Sequence, residues 1–175
     1  MEGKPVHIKK ANEKDVELIA RLSSETFYES FAAQNTKEDM EKYLEEKFND
    51  HYIENELKDK FTVFFVAYFD DVAVGYTKLR ENKAPEGLEC KKPLEIERIY
   101  VYKAYQNKKV GAVLMQNNID HAFRNGFDMI WLGVWEHNLP SIEFYKKWGF
   151  EIFGKHIFRL GDDDQNDLLM KKKLK

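Results

Sequence analysis

The chain opens with helical spacing of its apolar positions and becomes extended near its middle. Val6, His7 and Ile8 read as a short strand. Asn12 then precedes Val16, Leu18, Ile19 and Leu22, with Asp15 three residues after it, the signature of a capped amphipathic helix. A second helical stretch is predicted around Glu25 to Phe31. Thr36 caps a third, with Met40, Tyr43, Leu44 and Phe48 at helical spacing, and Ile53 and Leu57 predict a short fourth. At residue 61 the pattern changes. Phe61 to Phe69 is an apolar strand, Asp70-Asp71 a turn, and Val72 to Leu79 a returning strand, together an antiparallel hairpin. Residues 81–93, with Pro85, Gly87 and Pro93, read as a loop. Leu94 to Tyr102 is strand-like and 103–108 a polar connection. A helix follows from about 109 to 124, with Val110, Val113, Leu114, Ile119 and Phe123 on or near one face, and Gly126 ends it. Met129 to Trp135 is almost wholly apolar, as in a strand buried on both faces. Asn138 and Pro140 open a last helix closed by Gly149, and strands near 150–160 and 166–173 flank Gly161-Asp162-Asp163-Asp164. The plan is mixed α/β, and the strand–helix–strand unit over 94–135 should be parallel and right-handed.

At 175 residues the chain suits one domain, taken here as 1–175, and is tight for two. Hydrophobic residues make up 43%, too many for a disordered chain even with 34% charged. The single cysteine, Cys90, excludes an intramolecular disulfide framework and a Cys-rich zinc module, which points to a reducing, cytoplasmic compartment. Cys90 lies in a charged loop with no histidine near it in sequence, so it is not read as a nucleophile. His137 and His156 lack metal-ligand spacing and are read as structural or surface residues, and no metal is expected. Trp131, Trp135 and Trp148 are read as core. Met1-Glu2-Gly3-Lys4-Pro5 lacks the apolar core of a signal peptide, and no apolar run approaches the ~20 residues of a membrane helix. A net charge of −3 with no dense basic stripe argues against nucleic acid as a partner. The charge is nevertheless uneven. Residues 1–60 carry 10 basic and 15 acidic side chains, residues 101–175 carry 12 and 9. That asymmetry would suit a cationic ligand in front and an anionic one behind, or only two solvated faces.

The chemistry concentrates where the 94–102 strand runs into the 109–124 helix. A helix start offers unpaired N–H groups and the positive end of the dipole, a site for phosphate. Gly111 and Ala112 let a ligand approach the backbone, and Gln106, Lys108 and Lys109 add donors. Ile-Tyr-Val followed by Gln106-Asn107-Lys108-Lys109-Val110-Gly111-Ala112 resembles the acetyl-CoA signature of the GNAT N-acetyltransferase superfamily, with Lys109 standing where its first glycine usually does. Asn138-Leu-Pro-Ser-Ile-Glu-Phe-Tyr145, continuing to Gly149-Phe150, is similar to a second segment of that family. Thr26-Phe27, Trp131 to Glu136, and His156 to Gln165 with Asp167 to Met170 resemble the PaiA-type polyamine N-acetyltransferases in particular.

The resemblance implies a GNAT acyl-CoA N-acyltransferase fold over roughly 6–175, its mixed sheet splayed between two parallel strands and flanked by helices. It implies acetyl-CoA as co-substrate and coenzyme A as product. Backbone groups of Ile99, Tyr100 and Val101 would pair with the pantetheine arm. Amides from Gln106 through Asn107, Lys108, Lys109, Val110 and Gly111 to Ala112 would hold the pyrophosphate, with Asn138 near the cofactor. Tyr145 matches the tyrosine that in many members protonates the departing thiolate. Glu97 and Glu95, two carboxylates in an otherwise apolar strand and on one nominal face, are candidates for the base, or ion-pair partners of Arg98. Glu25 and Glu29, with Glu38, Asp39 and Glu41, fall where family members build one wall of the acceptor site. The expected reaction is direct attack of a small polyamine such as spermidine or spermine on the thioester, with no acyl-enzyme. The alternatives are acetylation of a protein N-terminus or lysine, or a non-catalytic acyl-CoA-binding regulator. Exposed edge strands leave a homodimer open.

Overall fold

In the computed structural model the described residues are 5–175. Met1 to Lys4, part of the stretch read above as lacking a signal core, lie outside them. Seven strands form one sheet in the order β1-β2-β3-β4-β5-β7-β6, namely β1 (Val6–Lys10), β2 (Thr62–Phe69), β3 (Val72–Glu81), β4 (Pro93–Val101), β5 (Met129–Trp135), β6 (Glu151–Leu160) and β7 (Asp163–Lys173). Every neighbouring pair is antiparallel except β4 and β5. Among the described residues five α-helices cover the sheet, α1 (Val16–Phe31), α2 (Lys37–Lys47), α3 (Asp50–Lys58), α4 (Val110–Arg124) and α5 (Leu139–Lys147). Among the described residues no helix is long and apolar enough to cross a membrane.

Every helix but α4 starts at, or just after, a side chain that satisfies free N–H groups. Asn12 and Asp15 form a capping box on the 3-10 turn leading into α1, Thr36 caps α2, Asn49 caps α3 and Asn138 caps α5. The two helical stretches predicted for the front are one. Ser23 and Thr26 look polar enough to interrupt a helix, yet both are buried. The Thr26 hydroxyl donates to the Leu22 carbonyl at 2.6 Å, so the helix supplies its own acceptor and runs on to Phe31.

Alternation in the strands sorts the core onto two faces. Ile19, Leu22, Phe27, Met40 and Ile53 from α1–α3 pack on Phe64, Val66 and Tyr76. Met115 and Ala122 of α4, with Ile142 and Tyr145 of α5, pack on Leu94, Ile96, Ile130, Leu132 and Val134. Burying a side chain of that kind contributes about 1.5–3 kcal/mol. The β2–β3 connection is the predicted Asp70-Asp71 turn, with both φ angles positive at 54° and 61°, as a two-residue hairpin requires.

The sheet opens between its two parallel strands. β4 and β5 pair only at Pro93↔Met129, Leu94↔Ile130 and Glu95↔Trp131, and then diverge. The expected splay between parallel strands is therefore present, and it opens at residue 96. β4 also carries one extra residue. Lys78 faces Arg98 and Leu79 faces Ile96, so Glu97 is the unpaired residue of a bulge. Ile96 and Ile99 pack toward α4, whereas Glu97 and Arg98 both turn to the α1–α3 side.

Candidate active site

The splay leads into a cavity of about 420 Å³ whose lining includes Glu95 to Val101 of β4, Leu132 to Trp135 of β5, Tyr145, and residues of α1, β6 and β7. Toward its end, β4 is paired to β3 along one edge, Thr77↔Ile99, Tyr76↔Tyr100 and Gly75↔Val101, while its other edge faces the splay. The backbone predicted to pair with a ligand is thus free to do so. The chain then passes through a 3-10 turn, Lys103–Lys108, into α4. The first α4 hydrogen bond is Val113 N–H to Lys109 O at 3.0 Å, which leaves the amides of Val110, Gly111 and Ala112 without an intrahelical acceptor. A Cβ on Gly111 would meet nothing nearer than the Phe144 ring at 3.9 Å, so the helix start is open.

The side chains of this segment divide. Lys109 adopts the left-handed conformation, φ 62° and ψ 9°. It therefore takes the backbone geometry that glycine adopts most easily, and the turn closes without one. Gln106 donates to the Val101 carbonyl at 3.3 Å and lines the cavity. Asn107 is exposed on the turn. The Lys108 ammonium sits over the Phe69 and Tyr105 rings at 5.1 and 5.0 Å, away from the helix start. Asn138 lines the cavity from the α5 cap, its Oδ1 accepting from Ser141 N–H at 3.4 Å.

Tyr145 is buried on α5, edge-to-face with Phe144 and Phe150, and lines the cavity. Burial pushes its phenol well above the usual tyrosine range, so the proton stays on at neutral pH. Across the cavity the two candidate bases differ. Burial pushes the Glu97 carboxyl up, but the Lys78 ammonium at 2.7 Å, with Arg98 and Arg80, more than offsets this and holds it below the usual carboxylate range. Glu95 has no such partner. Burial, and then the charge of Glu97, push it up, and its Oε2 has no hydrogen-bond partner. Beneath them lies a nearly buried ion cluster. Glu56 of α3 accepts from Arg98 at 2.8 and 3.0 Å and also pairs with Lys78.

Glu25 and Glu29 are not brought to the cavity. Glu25 accepts from the Tyr102 hydroxyl and Glu29 from Lys103 N–H at 2.9 Å, so both fasten α1 to the 3-10 turn. Phe27, Ser30 and Phe31 line the cavity instead. Asp39 is engaged elsewhere, accepting from Asp162 N–H at 3.1 Å in the β6–β7 turn. Two groups escaped the sequence reading. One is an aromatic wall, Phe27, Phe31, Tyr43, Tyr100, Trp135 and Phe158, in which Phe31 stacks edge-to-face on both Tyr100 and Trp135 at 6.3 Å. Trp135, read as core, belongs to it. The other is Asp167 with His156, paired across β7 and β6 and facing the cavity over Gly133. Their only sequence signal was the resemblance of the stretch that holds them.

Comparison with known proteins places this architecture. A family model, Acetyltransferase (GNAT) family, matches residues 24–150. The chain is 36% identical over 97% of its length, and 98% of the relative's, to an uncharacterized N-acetyltransferase in the pepI 3' region of Lactobacillus delbrueckii subsp. lactis. It is 25% identical to the spermidine N(1)-acetyltransferase of Thermoplasma acidophilum over 96% and 97% of the two chains. Among solved structures it superposes on the PaiA N-acetyltransferase of Thermoplasma acidophilum in complex with coenzyme A with a TM-score of 0.78, 23% identity, and coverage of 97% of this chain and 99% of that one. With its splayed sheet and its match to the family model, the chain belongs to the GNAT acetyltransferase family.

Proposed function

We propose that this acetyltransferase moves an acetyl group from acetyl-CoA to a primary amine of a small polyamine, by direct attack and in the cytoplasm. The donor contributes an activated acetyl thioester. The residues present fit it: the open β4 edge at Ile99 to Val101 suits an amide-bearing arm, and the free amides of Val110, Gly111 and Ala112 suit a diphosphate. Together they would aim the carbonyl into the cavity, so much of the catalysis is positioning.

A primary amine has a reference pKa of about 10.4 for lysine and arrives protonated. Glu95, raised and unpaired, takes the role of base, directly or through a water, and returns the nitrogen lone pair to the reaction. Glu97, neutralised by Lys78 and Arg80, is assigned a positioning role rather than that of a base. As the carbon–sulfur bond breaks, the Tyr145 phenol gives its proton to the thiolate and regains one from the acylated nitrogen, which still carries a surplus proton; its location on the cavity wall and its retained proton support this.

The polyamine reading is carried by one observation: the acceptor side is an aromatic wall whose unpaired polar groups include carboxylates. Aromatic faces suit a methylene chain and attract ammonium groups, and carboxylates neutralise them. The likeness to a spermidine acetyltransferase over 96% of the chain agrees with it. The test is a steady-state screen of polyamines, amino acids and peptides with acetyl-CoA, reading free coenzyme A. Polyamines should give the highest kcat/KM. Preference for a peptide N-terminus would replace this reading with a protein acetyltransferase, and tight acetyl-CoA binding with no turnover would replace it with a regulator. Tyr145→Phe should lower kcat by roughly 10²–10⁴-fold with coenzyme A affinity unchanged.

A further inference from the structure

The carboxylates of the cavity are not equivalent. Glu97 is neutralised by Lys78 at 2.7 Å and Arg80 at 3.5 Å. Glu95 and Asp167 make no ion pair and no hydrogen bond with the described residues, yet both line the cavity. Lys47 and Lys83 also line the cavity, and neither makes an ion pair among the described residues.

Asp167 also occupies a recess. β5 has Trp131 and Trp135 on this face and Gly133 between them, and a Cβ at Gly133 would stand 3.0 Å from His156 Cε1 and 3.3 Å from Asp167 Oδ2. The two side chains lean over a strand that carries no side chain of its own at that point. Asp167 reaches this spot from β7 and His156 from β6, held in register opposite each other. Leaving a carboxylate half-buried and unpaired costs folding energy, a cost that makes sense if a cation completes it.

We propose that Asp167, with His156 beside it over Gly133, binds the second, non-reacting ammonium of the acceptor and so makes the enzyme selective for amines with two or more cationic nitrogens. This rests on the polyamine reading above and adds the group that enforces it. Glu95 serves the nitrogen that loses its proton; Asp167 serves the one that keeps it. The aromatic wall spans the methylene chain between them. Asp167 is here a specificity residue and takes no part in the acyl transfer.

The experiment compares the parent and Asp167→Asn on putrescine, spermidine and n-butylamine, the last with the same carbon chain as putrescine but one nitrogen. Coenzyme A affinity reports that the variant is folded, and Asp167→Ser takes its place on the same panel if it is not. The variant should lose roughly 10- to 100-fold in kcat/KM on putrescine and spermidine, carried by KM, and stay within about twofold on n-butylamine. An equal loss on all three amines would make Asp167 catalytic or structural and overturn the assignment, as would no loss on any. A parent that acetylates polyamines while Asp167→Asn does so equally well sinks this inference alone. A parent that turns over no amine with two nitrogens sinks the polyamine reading, and this one with it.

Discussion

Burial pushes the Asp167 carboxyl up to about 6, against about 3.9 in an unfolded chain. Between those two values the folded protein keeps a proton that the unfolded chain has released. Stability therefore falls as pH rises through that window, and the penalty is complete above about pH 6. Asp167→Asn removes the ionisation. The variant should be more stable than the parent by about 1–2 kcal/mol at neutral pH, and the gap should close below about pH 4. Urea melts at several pH values measure it; a gap that widens on acidification would mean the group is stabilised as an anion after all. Polyamine, if it binds there, should shrink the same gap at neutral pH. Lys109 gives a second prediction of known sign. A side chain held at φ 62° costs about 1–2 kcal/mol, partly offset by the entropy glycine loses on folding. Lys109→Gly should thus raise stability by up to about 1 kcal/mol and leave coenzyme A affinity within about threefold. A large loss of affinity would show instead that the ammonium itself grips a phosphate.

Besides its apolar stripe, helix α3 is tied to β3 and β4 by one carboxylate. Glu56 takes both guanidinium nitrogens of Arg98 and the ammonium of Lys78, all nearly buried, with the Phe48 ring 4.9 Å from the guanidinium. Removing it strands the Arg98 guanidinium and leaves Lys78 with Glu97 alone. Glu56→Ala should cost about 3–5 kcal/mol, read from the urea midpoint, whereas the exposed Glu54 on the same helix should cost less than about 1 kcal/mol. None of this was visible in the sequence. The elements themselves were, because caps and periodicity are local: Asn12, Thr36 and Asn138 each mark a start, and Asp70-Asp71 a hairpin. The helix start after β4 was legible for the same reason. What stayed hidden depends on pairing between distant strands. Simple alternation puts Glu95 and Glu97 on one face and Arg98 on the other, and only the extra residue opposite Lys78 and Leu79 carries Arg98 round to the same side. Asp167 and His156 acquire meaning through β5, a strand more than twenty residues before either, and through a glycine that leaves room for them.

The cavity is closed by parts of the chain that meet only in the finished fold. Its walls include Phe27 and Phe31 from the first helix and Phe158, Arg159 and Gln165 from the last hairpin. Gln165 donates to Asn35 Oδ1 at 2.7 Å and Phe158 meets Tyr43 edge-on, and a small clasp adds to both. Asp39 on α2 accepts from Asp162 N–H at 3.1 Å, and Lys42 reaches Asp162 at 3.0 Å, across the turn between β6 and β7. Gly161 makes the clasp fit. Its φ is 61°, and a Cβ there would run into the Asp39 side chain. The surface ion pair alone contributes little, so the geometry of the turn is the sensitive part. Gly161→Ala forces either the turn or α2 to give way while leaving β4 and the start of α4 untouched. The variant should fold, with a stability loss of about 1–2 kcal/mol from the strained turn, and bind coenzyme A as the parent does. Its KM for the amine should rise severalfold, because the aromatic wall and the strand bearing Asp167 are no longer held against the first helices. Asp39→Ala, which removes the carboxylate that Gly161 accommodates, should relieve the added methyl. The double variant should then be less than additive in both stability and KM. Strict additivity would show that the hairpin and α2 act independently, and that this end of the cavity is held by its aromatic contacts and the Gln165–Asn35 hydrogen bond.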